Sequence, residues 1–81
     1  MRLLLEPIEV LAPEGEPRRL RWRGRDWPVD EIQDRWTWRG RWWRDAALEG
    51  ETRDYFRVLS RGSTLEVYVS EGSWVLSRVW D

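Results

Sequence analysis

The chain has 81 residues, 14 basic and 15 acidic, for a net charge of −1. At this length a single domain spanning residues 1–81 is expected, burying only about 60% of the surface its unfolded form exposes. The sequence has no Cys, no His and no Lys, which excludes disulfides, thiolate zinc sites, imidazole chemistry and lysine Schiff bases.

Residues 3–10 predict a strand, interrupted at Pro7 and so suited to a sheet edge. The apolar run Leu3-Leu4-Leu5 is too short for a signal peptide or a membrane span. The expectation is a soluble, cytoplasmic domain. Residues 12–17 read as a loop.

A hairpin follows. With Gly24-Arg25 as a two-residue turn of the II′ kind, Trp22 faces Trp27 and Leu20 faces Val29. Arg23 then meets Asp26, Arg19 meets Asp30, and Arg18 meets Glu31. Aromatic and opposite-charge cross-strand pairs of this sort stabilise sheets. Val29, Ile32 and Trp36 also fit one competing helical turn.

The motif Trp22-Arg23-Gly24-Arg25 returns as Trp38-Arg39-Gly40-Arg41. Folding there pairs Trp38 with Trp43. Residues 46–52 read as a short helical turn or a loop. Arg61-Gly62 predicts a third hairpin, with Tyr55 opposite Tyr68, Phe56 opposite Val67, Arg57 opposite Glu66 on the outer face, and Val58 opposite Leu65. Glu71-Gly72 predicts a fourth, with Val69 opposite Trp74 and Val67 opposite Leu76. Continued without a break, that register would set Leu65 against Arg78, so a bulge or a longer loop is expected there. The predicted fold is all-β: an antiparallel meander of six or seven strands, curled into a small barrel or half-barrel. Trp22, Trp27, Trp38 and Phe56 are its expected core.

Charge is unevenly spread along the chain. Residues 1–17 carry −3, residues 18–44 carry +5, and residues 45–81 carry −3. The basic middle also holds six of the eight Trp. The basic residues are all Arg, and Gln33 is the one side-chain amide, as in a GC-rich, heat-adapted (thermophile) composition. Eight Trp beside 18 Leu, Ile and Val exceed what so small a core holds, since each Trp brings about 150–250 Å² to bury. Some Trp are therefore expected at a site or a subunit contact, which makes a homodimer one expected state.

Little enzymatic chemistry survives this reading. Asp26 and Asp30 have arginine partners in the hairpin, and with Asp34 they read as surface acids rather than a metal or catalytic cluster. Ser60, Ser63, Ser70, Ser73 and Ser77 have no base to activate them. No cofactor or metal site is expected. The candidate binding site is the second hairpin. There Thr37, Arg39, Trp42 and Arg44 share an outer face with no acid in register. The patch reads as a surface Trp covered by Arg stems, as a protein contact, or as a cationic, aromatic platform for single-stranded nucleic acid. Tyr55, Tyr68, Val75 and Val79 form a second apolar outer surface in this register.

Trp27-Pro28-Val29, Trp42-Trp43, Arg53-Asp54-Tyr55-Phe56-Arg57-Val58, Trp74-Val75-Leu76 and the terminal Trp80-Asp81 carry a resemblance. The pattern resembles the C-terminal tail of the catalytically inactive Y-family DNA polymerase-like subunit of bacterial mutasomes. It is similar also to small stand-alone domains of unknown function in actinobacteria and the Deinococcus–Thermus group. The resemblance covers roughly residues 20–81. The polymerase body has no counterpart here, and Trp80 stands where Tyr or Phe would precede the final Asp. It implies a non-enzymatic adaptor, accessory to DNA-damage tolerance or translesion synthesis through contacts with replication or repair proteins. It carries no catalytic residues over. The other readings kept open are a single-stranded nucleic-acid module and a purely structural homo-oligomer.

Overall fold

A computed structural model describes residues 2–40 and 51–80. Seven strands run in chain order: β1 (Arg2–Leu11), β2 (Arg19–Trp22), β3 (Arg25–Pro28), β4 (Glu31–Arg39), β5 (Thr52–Ser60), β6 (Ser63–Ser70) and β7 (Ser73–Trp80). All described pairings are antiparallel, in the spatial order β3-β2-β1-β7-β6-β5-β4. The sheet curls into a half-barrel. Among the described residues there is no helix, and so none able to cross a membrane. The competing helical turn at residues 29–36 is absent, because β4 occupies most of that stretch.

The curl follows from connectivity. β3 and β4 are consecutive in the chain yet lie at opposite edges of the sheet. Only Val29 and Asp30 separate them. The Val29 N–H donates to the Arg18 carbonyl and the Asp30 N–H donates to the Leu59 carbonyl. Two residues thus hold both edges together at one end, which a flat sheet cannot allow.

Three hairpins turn on a residue followed by Gly, both with positive φ: Arg23-Gly24, Arg61-Gly62 and Glu71-Gly72. That is the I′ geometry, whose twist matches the strands it joins. The last two hairpins have the expected register: Tyr55–Tyr68, Phe56–Val67, Arg57–Glu66 and Val58–Leu65, then Val69–Trp74 and Val67–Leu76. The first differs. Its turn is Arg23-Gly24 rather than Gly24-Arg25, so Leu20 pairs with Trp27 and Trp22 with Arg25. Trp22 and Trp27 become diagonal neighbours whose rings still meet, 5.6 Å apart. Arg21, not Arg23, takes Asp26, at 3.9 Å.

The hairpin expected at Gly40-Arg41, with its Trp38–Trp43 pair, falls mostly on residues outside the described ones. Trp38 pairs with Arg53, Arg39 pairs with Thr52, and the Gly40 N–H donates to the Glu51 carbonyl. A β-carbon at Gly40 would overlap the Trp38 ring. β1 is not an edge strand, since it lies between β2 and β7. Its ladder with β2 covers only Glu9–Leu11, however, so Pro7 is paired on one side alone.

The core lies on the inner face of the curl. Val58, Leu65, Val67 and Leu76 have no exposed surface, and Leu20, Phe56 and Val79 are buried with them. Leu4, Ile8, Val10, Trp22, Trp27, Val29, Ile32 and Trp74 pack around this cluster.

Bulges decide which residues reach that face, because a one-residue slip turns every following side chain over. β7 has an extra residue at Ser77 relative to β6, at the place where the register was expected to fail. Val75 therefore faces outward while Leu76 and Val79 both face in. This corrects the outward placement of Val79. β1 carries a compensating shift between Leu3 and Glu6, with Leu5 in the left-handed region at φ 53°. A third shift, between Ile32 and Asp34 in β4, leaves Ile32 inside opposite Val58 and sends Trp36 and Trp38 outward. Trp38 is consequently not core: it is 42% exposed.

Candidate functional site

The outer face of β4–β7 is covered by rings and guanidinium groups. Trp36, Trp38, Arg53, Tyr55, Arg57, Glu66 and Tyr68 share it, as cross-strand partners or two-residue neighbours. The Trp36 and Tyr55 rings stack at 5.2 Å and 3°, and Tyr55 meets Tyr68 at 5.0 Å. Arg53 lies 5.0 Å from the Trp38 ring and 4.5 Å from Tyr68. Arg57 lies 5.3 Å from Trp36 and 5.2 Å from Trp80. Arginine suits these sandwiches because its guanidinium is planar and weakly hydrated, which lets it stack where an ammonium would not.

Two carboxylates lie among the arginines. Arg53 Nη2 donates to Glu51 Oε2 at 3.0 Å, and Nη1 donates to the Tyr55 hydroxyl at 3.3 Å. The hydrogen bond to Arg53 holds the Glu51 carboxyl below its ordinary range, and Glu51 in turn raises the Arg53 guanidinium above its own. Glu66 is the second. It lies opposite Arg57 on the outer face, as the register predicts, yet is only 5% exposed. Ser77 Oγ, supplied by the β7 bulge, donates to its Oε2 at 2.7 Å. Arg57 and Arg78 approach the same carboxylate at 4.0 and 3.7 Å.

The expected site residues separate. Thr37 and Arg39 are exposed and share a face, but it is the face of Arg35 and Phe56, opposite to Trp38. An acid sits on that face: Thr37 Oγ1 donates to Asp54 Oδ1 at 2.7 Å. Arg35 bonds Glu16 of the loop after β1. Trp42 and Arg44, with Trp43, lie outside the described residues. Reading the strand without the β4 bulge missed Trp38, Arg53, Arg57 and Trp80 as a group. The usable signal was the Tyr55–Tyr68 pair, whose register was legible and whose face these residues share.

Glu6, in β1, is engaged as well. Glu6 accepts from Arg23 Nη2 at 2.9 Å and from Trp22 Nε1 at 3.2 Å, bonds that hold its carboxyl below the ordinary range. Among the described residues no three Asp or Glu converge as metal ligands would.

A family profile, described as a domain of unknown function (DUF6504), matches residues 1–81. The chain belongs to DUF6504. Among curated proteins and among solved structures nothing matches this DUF6504 chain.

Proposed function

We propose that this domain is a non-enzymatic binding module that meets a protein partner through the outer face of β4–β7. The exposed Trp38 carries the reading. A large ring is held at the surface by Arg53 above it and Gly40 beneath it, so it is already ordered before any partner arrives. Trp, Tyr and Arg are the residue types that dominate interface energetics, and preordered side chains lose little entropy on binding.

Two features favour a protein over single-stranded nucleic acid. Base stacking needs open ring faces, whereas Trp36 is covered by Tyr55 and Arg57. Phosphate binding along a strand needs a run of free cations, whereas Arg53 is bound to Glu51 and Arg78 lies against the buried Glu66, which leaves Arg57 as a single site rather than a track. The resemblance to the mutasome subunit's tail suggests replication or repair proteins as the place to look. A photocrosslinker at position 38 should give one discrete adduct, competed by excess unmodified domain and lost in Arg53→Ala. Salt-dependent binding of single-stranded DNA, abolished by Trp38→Ala, would replace this reading with the nucleic-acid one.

A further inference from the structure

On the same outer face, beyond Trp36 from Trp38, lies an open cavity of about 470 Å³ bounded by Gln33, Arg57, Thr64 and Trp80. Gln33 reaches it because the β4 bulge releases it from the regular alternation. Three polar side chains with spare hydrogen-bonding capacity therefore surround one indole.

Arg57 is held there by rings rather than by an acid. Trp36 and Trp80 flank its guanidinium at 5.3 and 5.2 Å. Among the described residues the nearest carboxylate oxygen, Glu66 Oε1, is 4.0 Å from Nη2, beyond hydrogen-bond range. Glu66 is shared with Arg78 and bonded by Ser77. Asp34, opposite Arg57 in the ladder, accepts the Arg35 N–H instead. The Arg57 Nε is buried with no hydrogen-bond partner, an arrangement that is unfavourable in itself. The side chain remains 39% exposed. Gln33 and Thr64 meet each other only at 3.5 Å, the outer limit of a hydrogen bond.

We infer that this cavity binds a carboxylate, an Asp or Glu side chain of the partner, through the terminal nitrogens of Arg57, with Gln33 and Thr64 as further donors and Trp80 as a wall. This rests on the protein-partner reading above and names the chemistry the partner presents. A carboxylate suits the fixed, planar guanidinium, which recognises it through paired N–H···O bonds. A monoanion also suits the setting better than a phosphate chain: the buried Glu66 lies 4.0 Å behind Arg57 and offsets part of its charge, so one pair of N–H···O bonds matters more than bulk attraction.

The isolated domain tests this without the partner. The Arg57 Nε–H and Trp80 indole N–H resonances are followed by NMR while N-acetylglutamate amide is added, to about 50 mM. The expected result is a saturable shift of both signals, with no shift from N-acetylglutamine amide and weaker binding of inorganic phosphate. Arg57→Gln should weaken the carboxylate about tenfold or more. Gln33→Ala and Thr64→Ala, which leave the ring clamp in place, should each weaken it about threefold. Linear shifts without saturation, equal shifts from the glutamine analogue, or tighter binding of phosphate would each overturn the inference. If the titration fails while the crosslink at position 38 forms, the outer face stands as an interface and only the carboxylate site falls.

Discussion

The two faces of one sheet are covered in different ways. Inside, Val58, Leu65, Val67 and Leu76 interlock with no exposed surface. Outside, rings and guanidinium groups alternate across β4–β7, and Trp38 keeps 42% of its surface in water. Curvature explains the difference. Side chains converge on the concave face, so short branched ones fill it. They diverge on the convex face, where only long arginine stems and broad rings span the gaps. The outward Trp36, Trp38 and Trp80, and Arg rather than Lys beside them, become intelligible on those terms, since arginine stacks on a ring as lysine does not.

The sharpest test removes an inner side chain. Leu65→Ala should cost about 2–5 kcal/mol, from lost burial plus the cavity left behind. Small domains hold only about 5–15 kcal/mol in all, so chemical denaturation should show a much lower midpoint or no folded baseline. A change under about 1 kcal/mol would mean the inner face is not the main support.

Trp38→Ala probes the other face and should cost about 1–2 kcal/mol, because its ring is only partly covered. Its larger effect should fall on partner binding. If stability falls as far as in Leu65→Ala, the outer layer is a second core and not a contact surface.

Turn chemistry gives a smaller effect of opposite sign. Glu71 is exposed with φ 50° ahead of Gly72, a position where Asn is more at ease. Glu71→Asn should raise stability by about 0.5 kcal/mol. Thermal melts of the two proteins side by side decide it.

Acid titration is the mildest probe. Glu6 and Glu51 have carboxyls lowered from the ordinary 4.5 by Arg23 and Arg53. Their stabilising effect is fully present above that ordinary value and fades as pH falls through the lowered folded values. The melting temperature should therefore decline below about pH 4.5, and less steeply in Glu6→Gln/Glu51→Gln. Identical acid limbs would remove both pairs from the account.

Much of the fold is legible in the residues, and the reasons differ by region. Arg61-Gly62 and Glu71-Gly72 are flanked by apolar and aromatic pairs that match in only one register, so β5–β7 could be read. The same residue-then-Gly pattern at Arg23-Gly24 would have placed the first hairpin correctly. Taking Gly24 as the first turn residue shifted its partners by two. At Gly40 the Trp38 ring lies where a β-carbon would sit, a close approach that local turn patterns do not reveal. The outer-face group was hidden by the Ile32/Asp34 bulge: alternation alone assigns Trp36 and Trp38 to the side of Ile32. The Ser77 bulge could be anticipated, because an unbroken register set Leu65 against Arg78. The burial of Glu66 could not, since it depends on what the bulge brings beside it.

The position of β1 between β2 and β7 has a kinetic consequence. The sheet consists of two local meanders, β1–β3 and β4–β7, each able to form among near neighbours in sequence. They are joined covalently by Val29-Asp30 and laterally by the β1–β7 ladder. That ladder sets Arg2 against Val79, so closing it requires opposite ends of the chain to meet. Long-range closure is the slow part of folding. Ile8→Ala, within that seam, is expected to speed unfolding and leave the refolding rate nearly unchanged; slowed refolding in stopped-flow traces would instead put the seam in the nucleus. The seam that completes the half-barrel is then also the one that opens first.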